Sequence, residues 1–523
     1  MDTDVSVSCR THCCVSAPPF TMHTRHNILP TITVLLAASL VLFVAGCDFL
    51  DPVSVENPRT TDEDLEQATE PVVALVPGVK AQFARAVGST VVATEVATDN
   101  YSINGTGLGG NDMDFPTRIT PNTAVMNSVG ATLGSYWNLQ ELAALASFVI
   151  DDIAPGDESA TDAMLAEVHY YRGMARLMQA ENYAAVPTSE ESGPVPASEL
   201  YDLASDDLQT ALDLDPSGAF SLPAEAALAR LHRGQGNASA AASFAESVLS
   251  ADPAFLFQQG YDAQNQVNPA HLYLVTRALK ELQPLPRLDF LDPKYTSRDA
   301  GIAVAKAEEM HLILAEVALA AGQPDEAKSQ LQLARTVAEE RATADFNDGD
   351  ARLDNDLNPR PRTSDIKIAF EPGAPFAEGL VLDRPGLIQT PSVSATSVSE
   401  DQINAATGTE LIRLFYQMRQ EILLLEGRRV HDLGIRLPMM LREIEQTPNV
   451  SPGDLGTETI IPSYIPPANE MDLYTPVEIY EEQEDGDGNA IFVTIEDEIT
   501  MLHDMNRILA EERGLVMQNP RLP

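Results

Sequence analysis

The feature that most restricts the fold is a pattern that occurs twice. "AALARLHRGQGNASAAASFAESVLSADP", Ala226 to Pro253, runs through an alanine-rich stretch, a glycine, a second such stretch and a proline. "AEEMHLILAEVALAAGQPDEAKSQLQLAR", Ala307 to Arg335, follows the same plan. Ala229, Gly236 and Ala241 are matched by Ala315, Gly322 and Ala327, each 86 residues later. Alanine at a crossing lets two helices approach closely, and glycine ends the first helix of each pair. The pattern predicts paired helices.

These stretches resemble tetratricopeptide units. A looser third unit spans Ala163 to Pro216, with the loop "YAAVPTSEESGPVPAS" between its halves. In it Met164, Val168, Tyr171, Ala175 and Met178 recur at four- and three-residue steps, which places them on one helix face. Ala307, Met310, Leu314, Val317 and Ala321 make a similar face. The expectation is a mainly α fold with tetratricopeptide-like helix pairs over about 163–216, 223–253 and 307–338. Loop insertions over about 85–130, 254–305 and 345–408 form an irregular lobe with a few short strands. "EIYEEQEDGDGNAIFVTI", Glu478 to Ile495, predicts a hairpin turning at Gly486 to Gly488.

The long apolar run lies near the N-terminus. Ile28 to Gly46 carry no charge, and Val34 to Val44 follow Arg25 as an apolar core, which is the layout of a secretory signal. Met22 is a plausible translation start. "VAGC", Val44 to Cys47, resembles the bacterial lipobox, so residues 1–46 are expected to be removed and Cys47 to be lipidated. The competing reading is a transmembrane anchor, since the run could just span a bilayer. The other cysteines are Cys9, Cys13 and Cys14, so the body from Asp48 onward has none and can form no disulfide.

Charge narrows the partners. The chain has 523 residues with 33 Lys+Arg against 78 Asp+Glu, a formal charge of −45. Such a surface repels phosphates and anionic headgroups, which argues against nucleic acid and leaves the lipid anchor as the contact with membrane. Lysine is scarce, a balance found in proteins of salt-adapted organisms.

Taken in order, several stretches resemble the SusD/RagB family of nutrient-uptake outer-membrane lipoproteins. They are "CDFLDPVSVENPRTTDEDL", "SYWNLQELAALASFVIDDI", "AEVHYYRGMARLMQAENYAAVP", the helix pair from Ala307 with "MRQEILLLEGRRVHDL", and "GLVMQNPRLP". The resemblance covers essentially the whole chain after Cys47. It implies a lipid-anchored protein on the outer surface of the outer membrane that binds an oligosaccharide, or in some cases a peptide. It also implies a SusC-like TonB-dependent transporter as partner, with no cofactor and no bond made or broken. The alternatives are a tetratricopeptide-like scaffold that binds another protein and, more distantly, a glycosidase.

Aromatic faces stack on sugar rings and amides bond sugar hydroxyls. In the loops that the family uses near its ligand, the candidates are Asp99, Asn100, Tyr101, Asn111, Asp112, Tyr261 and Tyr295, with Phe115, Tyr273 and Phe290 as further aromatics. Trp137, the one tryptophan, falls in a scaffold-like helix. The body has no G-x-S-x-G, H-E-x-x-H or P-loop, and its histidines lack metal-ligand spacing. In "EGRRVHDL" the spacing suits ion pairs of Glu426 with Arg429 and of Arg428 with Asp432 along a helix, a structural role. "DGDGNAIFVTIE", Asp485 to Glu496, partly fits a calcium loop, but Ala490 stands where the sharp turn wants glycine, and a hairpin is preferred.

Overall fold

The repeated stretches form helix pairs in a computed structural model of the chain. It describes residues 69–103, 111–130, 133–276, 282–347, 364–384, 387–467, 470–484, 486, 488 and 490–520. The expected leader and Cys47 lie outside the described residues. In chain order the helices used below are α1 (Pro71–Val96), α2 (Ser135–Ser147), α3 (Asp162–Asn182), α4 (Ala197–Leu214) and α5 (Ser221–Gly234). They continue with α6 (Ala238–Ala251), α7 (Ala307–Ala320), α8 (Pro324–Glu339), α9 (Thr409–Ile422) and the short α10 (Arg429–Leu433). The strands are short, so the fold class is mainly α.

Each helix packs on its successor from α3 to α8, giving the pairs α3–α4, α5–α6 and α7–α8. The turn inside the last two pairs is the same. Gly236 and Gly322 take φ of +75° and +70°. Their amides bond Arg233 O and Leu319 O, and the next residues' amides reach back to His232 O and Ala318 O. This is the Schellman arrangement, which satisfies helix-end carbonyls and needs a residue without Cβ strain at the left-handed position. Ala229, Ala241, Ala315 and Ala327 are fully buried at the crossings. Residues 254–305 separate α6 from α7 in sequence, yet the two helices still touch, so the insertion leaves the stacking uninterrupted.

That insertion pairs with the N-terminal part of the chain. β1 (Tyr101–Ile103) runs antiparallel to β3 (Leu282–Pro284), while β2 (Leu256–Gln259) pairs with β4 (Ile302–Lys306). Farther on, β5 (Thr343–Asn347) pairs with β6 (Leu387–Pro391), and β7 (Tyr480–Glu484) with β8 (Ala490–Thr494), the latter forming the hairpin read from "EIYEEQEDGDGNAIFVTI". The loop expected over 85–130 differs at its start, where α1 continues to Val96. Its polar residues misled because Ser89 and Thr94 donate to the carbonyls of Arg85 and Thr90 at 2.8 and 2.7 Å, satisfying their hydroxyls inside the helix.

"EGRRVHDL" is a buried hub, and its partners differ from those expected. Leu425 and Gly427 take φ of +59° and +73°, so the helix starts only at Arg429 and Glu426 stands outside it. Glu426 accepts from Lys294 and Lys306, and Arg428 Nε donates to Glu309 at 3.0 Å. Arg429 clasps Asp99 at 2.6 and 2.7 Å. Asp432 accepts from Arg419 at 3.0 Å and from Arg233 at 2.9 Å. Each charge of the motif is paired with a different segment, which ties α5, α7, α9 and the residues just after α1 to one turn of chain. The structural role stands, but the pairing is long-range.

Candidate functional site

Burial decides which of the sequence candidates can meet a ligand. Asp99, Asn100, Tyr101 and Tyr295 are each at most 1% exposed. Asp99 accepts from Arg429, from Arg287 and from Gln420, the last two at 2.9 Å. Burial pushes its carboxyl up, but Arg429 and Arg287 outweigh it and hold the pKa below the usual carboxylate value. Asn100 donates to Glu95 Oε2 at 2.7 Å and accepts from Gln420 at 2.8 Å. Tyr295 donates to Leu425 O at 2.8 Å. These four residues serve the core, and the expectation that they face a ligand is corrected on that ground.

The other candidates scatter. Asp112 is exposed in the four-residue helix Asn111–Asp114, and of Asn111 only its place in that helix is described. Phe115 carries the Arg118 guanidinium 3.9 Å from its ring centroid. Tyr273 and Phe290 are half-buried against the core. Among the described residues no group of three or more His, Cys, Asp or Glu could hold a metal ion, and no helix is long and apolar enough to cross a membrane.

Tyr261 does line a cleft. This opening, of about 480 Å³, is walled by Pro77, Lys80 and Ala81 of α1, Tyr171 of α3, Phe220, and residues 257–262 and 266 of the insertion. Four rings form its apolar wall: Tyr171 meets Phe220 edge-on with centroids 5.5 Å apart, Phe220 meets Phe257 at 6.0 Å, and Tyr261 joins them. Around the rings stand the amides of Gln258, Gln259 and Gln266, the Lys80 ammonium and the Asp262 carboxylate.

The walls are pinned together by the chain's own hydrogen bonds. Tyr261 Oη donates to Ala84 O at 2.9 Å and Gln266 Nε2 to Ala81 O at 2.6 Å, fastening the insertion to α1. Burial pushes the Tyr261 hydroxyl above its ordinary pKa, so it stays a donor. Gly88 makes the approach possible, since a Cβ there would lie 2.4 Å from Pro269 and 3.0 Å from Tyr261 Oη. Asp262 Oδ1 accepts from the amides of Asn265 and Gln264 at 2.6 and 2.9 Å, which hold its carboxyl below the usual range and shape the loop. Such a site offers ring faces, amides and one charge of each sign, the chemistry that suits a polyhydroxylated ligand.

Sequence reasoning named Tyr261 but not Phe220 or Phe257, and it used Tyr171 only as part of a helix face. The three rings come from different segments, and only their shared wall identifies them. A second cleft, of about 690 Å³, is lined by Trp137, which the sequence reading left in the scaffold.

No family model and no curated protein matches the sequence. Solved structures do match it at low identity. A laminarin-binding SusD-like protein is 14% identical, with 73% of this chain and 98% of that one covered and a TM-score of 0.49. A SusD superfamily protein from Bacteroides fragilis is 12% identical over 86% and 99%, with a TM-score of 0.47. A SusD-like carbohydrate binding protein from Bacteroides vulgatus ATCC 8482 is 14% identical over 69% and 82%, with a TM-score of 0.45. Each of these three solved structures is described as SusD-like or as a SusD superfamily protein.

Proposed function

We propose that this protein is a SusD/RagB-type lipoprotein that binds an oligosaccharide in the Tyr261 cleft and passes it, chemically unchanged, to a SusC-like TonB-dependent transporter. The observation that carries the binding step is the wall of the half-buried rings Phe220, Phe257 and Tyr261, backed by the buried Tyr171, beside the amides of Gln258 and Gln266. Ring faces supply stacking area, and amides supply both donors and acceptors for sugar hydroxyls. The cleft volume lies within the range of about 300–1,000 Å³ common for ligand sites. Hydrogen bonds between the insertion and α1 build it before any ligand arrives, which limits the ordering that binding must impose.

Delivery rests on the sequence resemblance. In this reading Cys47 carries the acyl chains, the body faces the exterior of the outer membrane, and the transporter sits beneath it. A glycan array probed with the detergent-purified protein is expected to show saccharide binding. Tagged protein is expected to bring down a large outer-membrane barrel, and intact cells to label at the body. An array on which peptides bind and saccharides do not would reverse the ligand assignment, and a pull-down without a barrel would remove the delivery step.

A further inference from the structure

The larger cleft shares no lining residue with the Tyr261 cleft. Its walls are α2, the loop between α3 and α4, and the segment 440–448. They are already joined: Gln140 Nε2 donates to Pro187 O at 3.0 Å, and Asn449 Nδ2 donates to Glu191 O. Trp137 is half-buried in the α2 wall. Its indole Nε1–H donates to Glu141 Oε2 at 3.1 Å, so its one donor is engaged and a carboxylate stands at the ring edge. Ala143 and Ala144, about two turns farther along α2, keep the space beside the ring open.

Charge then selects the occupant. The lining holds three carboxylates, Glu190, Glu191 and Glu443, against one guanidinium, Arg442. Arg442 Nε is itself bonded to Gln446 at 3.2 Å. An indole is the best ring for holding a cation, and flanking carboxylates add to that attraction, with Glu190 and Glu191 exposed at the rim of the cleft and Glu443 half-buried. A neutral sugar would use the ring face but gain nothing from the excess of negative charge.

We propose that the Trp137 cleft binds the cationic side chain of an arginine- or lysine-containing peptide, held against the indole and met by Glu190, Glu191 and Glu443. It is a second site, separate from the Tyr261 cleft and with a different ligand chemistry. The overall charge of −45 concentrates such cations at the surface and speeds their arrival.

Trp137 is the one tryptophan of the chain, so intrinsic tryptophan emission reports this cleft alone. The test titrates the detergent-purified full chain with trilysine, triarginine, trialanine and a neutral glucose oligomer. The two cationic peptides are expected to change the emission saturably, and the two neutral probes to leave it unchanged. High salt is expected to weaken the cationic response. The triple variant Glu190→Gln, Glu191→Gln, Glu443→Gln is expected to bind about tenfold more weakly while its thermal midpoint stays near wild type. Emission that ignores the cationic peptides, or that responds equally to the glucose oligomer, overturns the proposal, as does wild-type affinity in the triple variant. Saccharide binding at the Tyr261 cleft is read separately by calorimetry, so failure at either site is recognised without the other.

Discussion

Asp99 shows what a buried carboxylate does in this protein. It is fully buried and faces two arginines, Arg429 and Arg287. Burying an ion pair yields little net stability, because desolvation opposes attraction, but removing one partner leaves an uncompensated charge. Asp99→Ala is therefore expected to lower unfolding free energy by about 3–5 kcal/mol, measured by denaturant titration; a loss under about 1 kcal/mol would mean that the pairing is weaker than its geometry. His431 makes a pH-dependent prediction. Burial first, then Arg436, Arg233 and Arg513, push its pKa well below 6.5. The unfolded chain therefore takes up that proton first, so this residue's contribution to stability falls as pH drops below 6.5, by up to about 1.4 kcal/mol per pH unit. Glu309, held at about 2 despite its burial by Arg428 and Arg230, adds a loss of the same direction between about 4.5 and 2. Asp472 works the other way, because burial and Asp114 raise its pKa and the folded state takes up its proton first. Comparing wild type with His431→Gln isolates the histidine: the variant is expected to show a shallower fall in stability from pH 7 to pH 5, and parallel curves would contradict the assignment.

At the scale of elements, the helix-pair turns provide a matched comparison. Gly322 takes φ of +70° with no atom within 4 Å of an added Cβ, so Gly322→Ala is expected to cost only the left-handed strain, about 1–2 kcal/mol. At Gly236 an added Cβ would meet Pro520 at 2.7 Å and Met517 O at 3.1 Å, so Gly236→Ala is expected to cost more. Thermal midpoints of the two variants check the order, and equal losses would mean that the C-terminal segment yields. The same turns explain what the sequence made legible. Glycine at a helix end and alanine at a crossing encode local geometry, so Ala229, Gly236, Ala241 and their counterparts could be read from spacing. Arg85 to Val96 could not, because hydroxyls that suggest a loop are absorbed by the helix's own carbonyls. Asp99 and Tyr295 looked like ligand residues for a related reason: chemistry alone does not separate a polar group that meets solvent from one that meets Arg429 or Leu425.

On the scale of the whole molecule, the two candidate clefts are surfaces that distant segments make together. Tyr171, Phe220, Phe257 and Tyr261 become one wall only after the insertion folds back on α1, so one of the four was named from sequence as a ligand residue. Trp137 belongs to a helix whose sequence reads as scaffold, and it is scaffold on one side and cleft on the other. Saccharide binding in the Tyr261 cleft is tested most directly by titration calorimetry of an array-selected oligosaccharide into wild type and Phe257→Ala. Wild type is expected to bind, and Phe257→Ala, with its helical circular dichroism unchanged, is expected to bind about tenfold more weakly, a loss of roughly 1.4 kcal/mol. Equal affinity in the two proteins, or no saccharide bound by wild type, would contradict the claim.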